Sequence, residues 1–365
     1  MRSVLELSRQ RAAAGHAVKW AVLVIALAAC GKSADNHGAG SGSAKPIAMR
    51  PPSMPPLVLA ADAKRKEQAE LGHVLFFDKR LSANSDRSCY SCHQNEDGNG
   101  GHDPIAIGSG DKKQTRHAPV IWNVGYYDNS LYWDGRAKDL EANAKGAWAK
   151  GNMGVGEDKL DAKATELAAI AGYKKLFDAA FPGEPITADL VEKALAEYER
   201  TLICNDTAYD KWAAGDTTAV SEQQQRGFAI FMGKAACVTC HAPPMFSTAM
   251  GVAGGMYFNV GIGTKDVPID QVDIGRAKIT SKDGDWAAFK PPSLRNVTKS
   301  APYLHDGSMA KLEDVVKLMS SGGIENKNKS AAMVDHRLTD EERSDLVAFL
   351  GALECPGKLE APALP

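Results

Sequence analysis

Two stretches of this sequence carry the same pattern of thiols and imidazole. Cys89, Cys92 and His93 stand in "SCYSCH", and Cys237, Cys240 and His241 stand in "ACVTCH" about 150 residues further on. Cysteines at this spacing serve three chemistries: a tetrahedral metal site, a redox disulfide, or covalent attachment of a porphyrin. Zinc sites made of two C-x-x-C units bring their halves within about 15–20 residues, and these halves lie far apart. The histidine after each second cysteine is not required by zinc. A c-type haem does require it. Two thiols one turn apart reach both vinyl groups, and the adjacent imidazole falls under the iron as its proximal ligand. The pattern predicts two covalent haems, held by Cys89, Cys92, Cys237 and Cys240, with His93 and His241 on the irons.

The chain has 365 residues, 44% of them hydrophobic and 24% charged, so its cores need no disulfide staples. A net charge of −2 speaks against a nucleic-acid partner. A basic stretch containing Arg9, Arg11 and Lys19 precedes an apolar run from Trp20 to Ala29, too short for a permanent membrane span. The run ends in Leu27-Ala28-Ala29-Cys30, which resembles the bacterial lipobox. That resemblance implies a signal peptide over 1–29, lipidation of Cys30 and a periplasmic, membrane-anchored protein. A plain secretory signal is the alternative, and both predict export, which covalent haem attachment requires. Residues 30–61, rich in Gly, Ser, Ala and Pro, read as a flexible tether that stiffens towards its Pro-rich end.

The elements that must position the cysteines are helical. "DAKRKEQAELGHVLFF" leads into the first motif. "SEQQQRGFAIFMGKAACVTCH" repeats the design, opened by a capping box from Ser221 to Gln224. Glu-Gln, then Gly, then an apolar-Phe pair recur in both, the mark of an internal duplication. "ADLVEKALAEYERTL" places Leu190, Val191, Ala194, Leu195, Tyr198 and Leu202 on one helical face. "LTDEERSDLVAFLGAL" starts with a second capping box, Thr339 to Glu342. No segment alternates as a strand would. The expected fold is all-α, with two cytochrome c-like haem domains at 62–205 and 206–354 and a tail at 355–365.

From about Ala61 to Ala352 the chain resembles the bacterial di-haem cytochrome c peroxidase family, which includes the tryptophan-modifying MauG enzymes. The matching stretches are "LGHVLFFDKRLS", "SCYSCH", "YWDGRAKDLE", "EKALAEYERTL", "DIGR", "PPSLRNV" and "APYLHDGS". The resemblance implies a peroxidatic haem in the N-terminal domain and an electron-donating haem in the C-terminal one, with Trp133 as the relay between them. Leu312, Val315, Val316 and Met319 share a helical face, which by itself describes a core methionine. The family's distal iron ligand falls on Met319, where MauG-type enzymes carry tyrosine; Met309 is the competitor. A thioether raises the haem potential and suits an electron reservoir.

Departures from the family cluster at the N-terminal haem. The catalytic glutamine falls on Asn143 and the catalytic glutamate on Asn152, with Glu157 as a substitute carboxylate. An amide is no general acid or base near neutral pH. The gating histidine reads Ser109, which implies an open iron, and His102 is another residue that could cap it. The family's inter-domain calcium would take the carbonyls of Ser300 and Pro302, but its asparagine ligand reads His117, a poor ligand for a hard cation. Cys204 and Cys355 are left over and in an oxidising compartment are expected to pair, with two separate thiols as the alternative. The resemblance implies reduction of hydrogen peroxide with electrons from a small cytochrome c or cupredoxin, by a monomer or homodimer. The alternatives are MauG-like oxidation of a partner protein and a non-catalytic electron carrier or redox sensor.

Overall fold

A computed structural model describes residues 51–365; the expected signal segment, Cys30 and the tether up to residue 50 lie outside the described residues. The first half holds helices α1 (Arg65–Phe77), α2 (Leu140–Ala149), α3 (Leu160–Ala168), α4 (Ala171–Ala180) and α5 (Ala188–Arg200). The second holds α6 (Ala208–Ala214), α7 (Glu222–Met232), the single turn α8 (Ala277–Thr280), α9 (Leu312–Ser320) and α10 (Asp340–Gly351). Among the described residues, extended pairing is confined to isolated bridges such as Phe258–Phe289. No described helix is long and apolar enough to cross a membrane.

Two large apolar cores form, one from Leu71 to Cys204 and joined by Cys355 and Leu359, the other from Tyr209 to Leu353, beside a small cluster of Val272, Trp286 and Ala287. Each large core is organised by a helix crossing made possible by a glycine. A Cβ on Gly72 in α1 would sit 1.9 Å from the Ala194 carbonyl oxygen of α5, and one on Gly227 in α7 would sit 2.0 Å from the Asp345 carbonyl oxygen of α10. In both halves, then, the helix leading into the C-x-x-C-H turn packs backbone to backbone on the helix that ends the core. Both expected capping boxes are present, Ser221 with Gln224 and Thr339 with Glu342. They satisfy N–H groups that a helix start leaves unpaired.

The halves are fastened together. Cys204 and Cys355 form a disulfide, as expected from their being left over. The tail beyond Cys355 runs back over the first half, where Asn95 and Leu359 exchange hydrogen bonds of 2.9 and 2.8 Å and Arg80 donates to the Pro365 carbonyl. The Pro-rich piece at the start is fastened too. Tyr209 and Tyr126, one from each half, donate their hydroxyls to the carbonyls of Pro52 and Pro55. Proline has no N–H to offer, so its carbonyl is the group left for such docking.

Candidate functional site

Each C-x-x-C-H folds as one tight turn that puts its thiols on the same side. The Cys92 amide donates to the Cys89 carbonyl, and the His241 amide to the Cys237 carbonyl. All four thiols are unpaired, although the same chain forms a disulfide elsewhere. Burial pushes every one of them up, Cys237 to about 12 and Cys240 to about 11, which keeps the free side chains as thiols. Among the described residues no group of three or more His, Cys, Asp or Glu side chains could hold a bare metal ion.

Both histidines leave Nε2 free. His93 Nδ1 lies 3.2 Å from the Asn99 carbonyl and His241 Nδ1 lies 3.0 Å from the Phe246 carbonyl. A carbonyl only accepts, so the proton is on Nδ1 and Nε2 keeps its lone pair. Asn99 is itself held by its side chain, which donates to the His93 carbonyl and accepts from Trp122 Nε1. Burial lowers both imidazoles, His93 to about 4, which keeps them neutral.

A cavity of about 240 Å³ opens over the second motif, with Cys237, Cys240 and His241 in its wall and the inner face of α9 opposite. Leu312, Val315, Val316 and Met319 all line it, so the face read from the sequence is the face turned to the cavity. Met309 does not line it; that side chain packs on the second core. Met333 and His336 also line the cavity and were missed, since neither belongs to a periodic helix. At the first motif a smaller cavity of about 100 Å³ lies beside Cys92, lined also by Arg87, His102 and Ile107. His102 is mostly exposed, and its Nδ1 is 3.1 Å from Asp97.

Trp133 stands between the two motifs. Its ring is buried and forms part of the larger cavity's wall, while its Nε1 donates to the His117 carbonyl at 2.8 Å. A charge on His117 would lower the His93 imidazole further, and the His117 amide donates to the His305 carbonyl. His305, missed as a site residue although it ends "APYLH", is buried beside the indole at 6.3 Å between ring centroids and stacks on Phe289 at 3.7 Å. Arg116 locks this junction, donating to Asp134 at 2.7 Å and to Asp273 at 2.6 and 2.8 Å. Sequence reasoning had no means of pairing those three charges, which come from distant segments.

The N-terminal departures sit where α2 and the following turn meet the 107–114 loop. The Asn143 carbonyl accepts from the Tyr132 hydroxyl, and the Asn152 carbonyl accepts from the Ser109 amide. Ser109 is buried and donates its hydroxyl to Asp86, whose carboxyl is held down at about 2 by Ser109 and by the Gly110 amide. Glu157 points away: its side chain is 74% exposed, with Lys145 at 3.9 Å. Glu199, at the end of α5, is a carboxyl that sequence reasoning passed over. Burial pushes it up to about 8, it makes no hydrogen bond with a described side chain, and its charge reaches Cys89 and Tyr132. Pro302 is joined to Ala301 by a cis peptide, and Ser300 abuts Gly100 across the junction of the halves. His117, at the expected calcium position, engages the Asp103 carbonyl through Nδ1.

Paired thiols that are not oxidised, imidazoles with a free Nε2 and an apolar cavity over the second motif fit covalent haem. The arrangement fits a cytochrome with two attachment sites. The chain matches the family described as di-haem cytochrome c peroxidase over residues 66–218. It is 36% identical over 304 residues to the methylamine utilization protein MauG of Methylorubrum extorquens, covering 82% of each chain. It is 33% identical over 307 residues to the cytochrome c551 peroxidase of Pseudomonas aeruginosa, again covering 82% of each. A solved MauG-like protein associated with microbial copper homeostasis superposes with a TM-score of 0.75 at 30% identity, covering 88% of this chain and 97% of that one. The chain belongs to the di-haem cytochrome c peroxidase and MauG family, a family of oxidoreductases with two c-type haems.

Proposed function

We propose that the chain reduces hydrogen peroxide in the periplasm, with electrons entering from a small soluble cytochrome or cupredoxin at the C-terminal haem. Each c-type haem, when bound, supplies an iron that exchanges one electron, and two electrons with two protons convert one peroxide to two waters. Cys89, Cys92 and His93 hold the peroxidatic haem of domain 62–205; Cys237, Cys240, His241 and Met319 hold the electron-donating haem of domain 206–354. The helix crossings at Gly72 and Gly227 support the view that the domains arose by duplication. Trp133 carries the reading. One side of its indole walls the C-terminal cavity, and its N–H is bonded to His117, the neighbour of His93. Stopped-flow mixing of the fully reduced protein with hydrogen peroxide should oxidise both haems, and Trp133→Phe should slow oxidation of the Met319-ligated haem selectively. Equal rates in both proteins would remove the indole from the path.

Met319 favours this reading over MauG-like oxidation of a partner protein, because MauG-type enzymes carry tyrosine there. The second reading, an electron carrier or sensor, draws on Asn143, Asn152 and the outward-facing Glu157: no family carboxylate moves the proton between the peroxide oxygens. With Ser109 committed to Asp86, no gating side chain comes from that position, which favours ligand access. The peroxidase reading also includes an inter-domain calcium on the Ser300 and Pro302 carbonyls, weakened by His117, a lipid anchor at Cys30 and a homodimer.

A further inference from the structure

We infer that Lys290 is the cation that receives a carboxylate of the haem seated on Cys237 and Cys240, and that it sets that haem's potential. The inference rests on the reading of those cysteines as a haem attachment. Lys290 is 5% exposed and lies in the wall of the C-terminal cavity. Its backbone is fixed, its amide donating to the Trp133 carbonyl at 2.8 Å. Its Nζ lies 3.4 Å from the centre of the Tyr127 ring and makes no hydrogen bond or ion pair with any described residue. The nearest source of negative charge, Asp134, is already spent on Arg116 at 2.7 Å and Arg136 at 2.9 Å.

A buried ammonium without an anion is unfavourable; proteins pair such a charge or neutralise it. Burial pushes Lys290 down to about 7 even though Asp134 acts the other way. The ring face of Tyr127 offsets only part of that cost. A haem brings two carboxylates into the same cavity, and one of them completes Lys290 as a charge-assisted pair. The ammonium cancels the negative charge of that carboxylate, which unopposed would favour the oxidised, more positive iron, so Lys290 raises the potential of the haem beside Trp133.

The test is spectroelectrochemical titration of Lys290→Gln and Lys290→Arg, with haem content per chain measured first on denatured protein. Both variants should carry two haems. Lys290→Gln should lower the midpoint of the Met319-ligated haem and leave the other in place, and Lys290→Arg should stay near wild type. Loss of the second haem from Lys290→Gln but not from Lys290→Arg would also support the pairing. An unshifted midpoint in a fully loaded Lys290→Gln would overturn it, as would loss of the haem from both variants alike, which would mean that the site needs lysine's shape. Wild type with no haem on Cys237 and Cys240 would instead refute the attachment itself.

Discussion

Replacing both Cys204 and Cys355 by serine should cost close to the full entropic value of the bridge. The two cysteines are 151 residues apart in sequence. Closing a loop of that length removes unfolded-state entropy worth about 5 kcal/mol on the chain-entropy relation. The native state should change little, because each cysteine is held independently. The Asn123 side chain accepts from the Cys204 amide and donates to its carbonyl, and the Asn296 side chain accepts from the Cys355 amide. Asn95 and Arg80 also keep the tail beyond Cys355 in place. The loss therefore falls on the unfolded ensemble. Guanidinium unfolding followed by haem absorbance should show the midpoint drop without a change in native spectra, and wild type with reductant should match the variant. A drop under about 1 kcal/mol would refute the reasoning and mean that the unfolded chain is already compact at this junction.

Three further outcomes follow from named contacts. Met319→Ala should abolish the methionine-to-iron charge-transfer band of the oxidised protein; a surviving band would transfer ligation to Met333, the other methionine in the cavity wall. Asn152→Glu should accelerate the reaction with peroxide, within the range of about 10²–10⁴ that positioned proton transfer supplies, while Glu157→Gln should leave the wild-type rate unchanged; slowing by Glu157→Gln would contradict its outward placement. Asp210 and the fully buried Arg295 form a bidentate pair at 2.7 and 2.8 Å, so Asp210→Asn should destabilise by about 3–5 kcal/mol. Burial pushes the Asp210 carboxyl up, but the Arg295 guanidinium outweighs it and holds the carboxyl below its usual range. That stabilisation is present above the ordinary carboxyl pKa and lost as pH falls through the lowered one, so the variant's stability should fall less steeply in acid than wild type's.

What the sequence made legible is what depends on local spacing. The C-x-x-C-H turns, the Ser221 and Thr339 caps and the inner face of α9 follow from periodicity and short-range hydrogen bonding, and each stands where it was expected. The choice of Met319 over Met309 as ligand came from resemblance; in the structure Met319 lines the cavity and Met309 packs on the second core. The junction was not legible. Arg116, Asp134 and Asp273, the stack of His305 on Phe289, and Lys290 on Tyr127 are contacts between residues far apart in the chain, and no spacing rule announces them. Glu199 was hidden for another reason. It is half-buried, just past the apolar face of its helix, and the desolvation that raises its carboxyl comes from the packing around it, which periodicity does not read.

The central claim is that two haems deliver two electrons to one peroxide. Anaerobic titration of the fully reduced protein with hydrogen peroxide tests it most directly, because equilibrium stoichiometry does not depend on how fast the altered N-terminal site reacts. The account predicts that one equivalent of peroxide oxidises both haems. Two haems that stay reduced in excess peroxide would contradict it and leave an electron carrier.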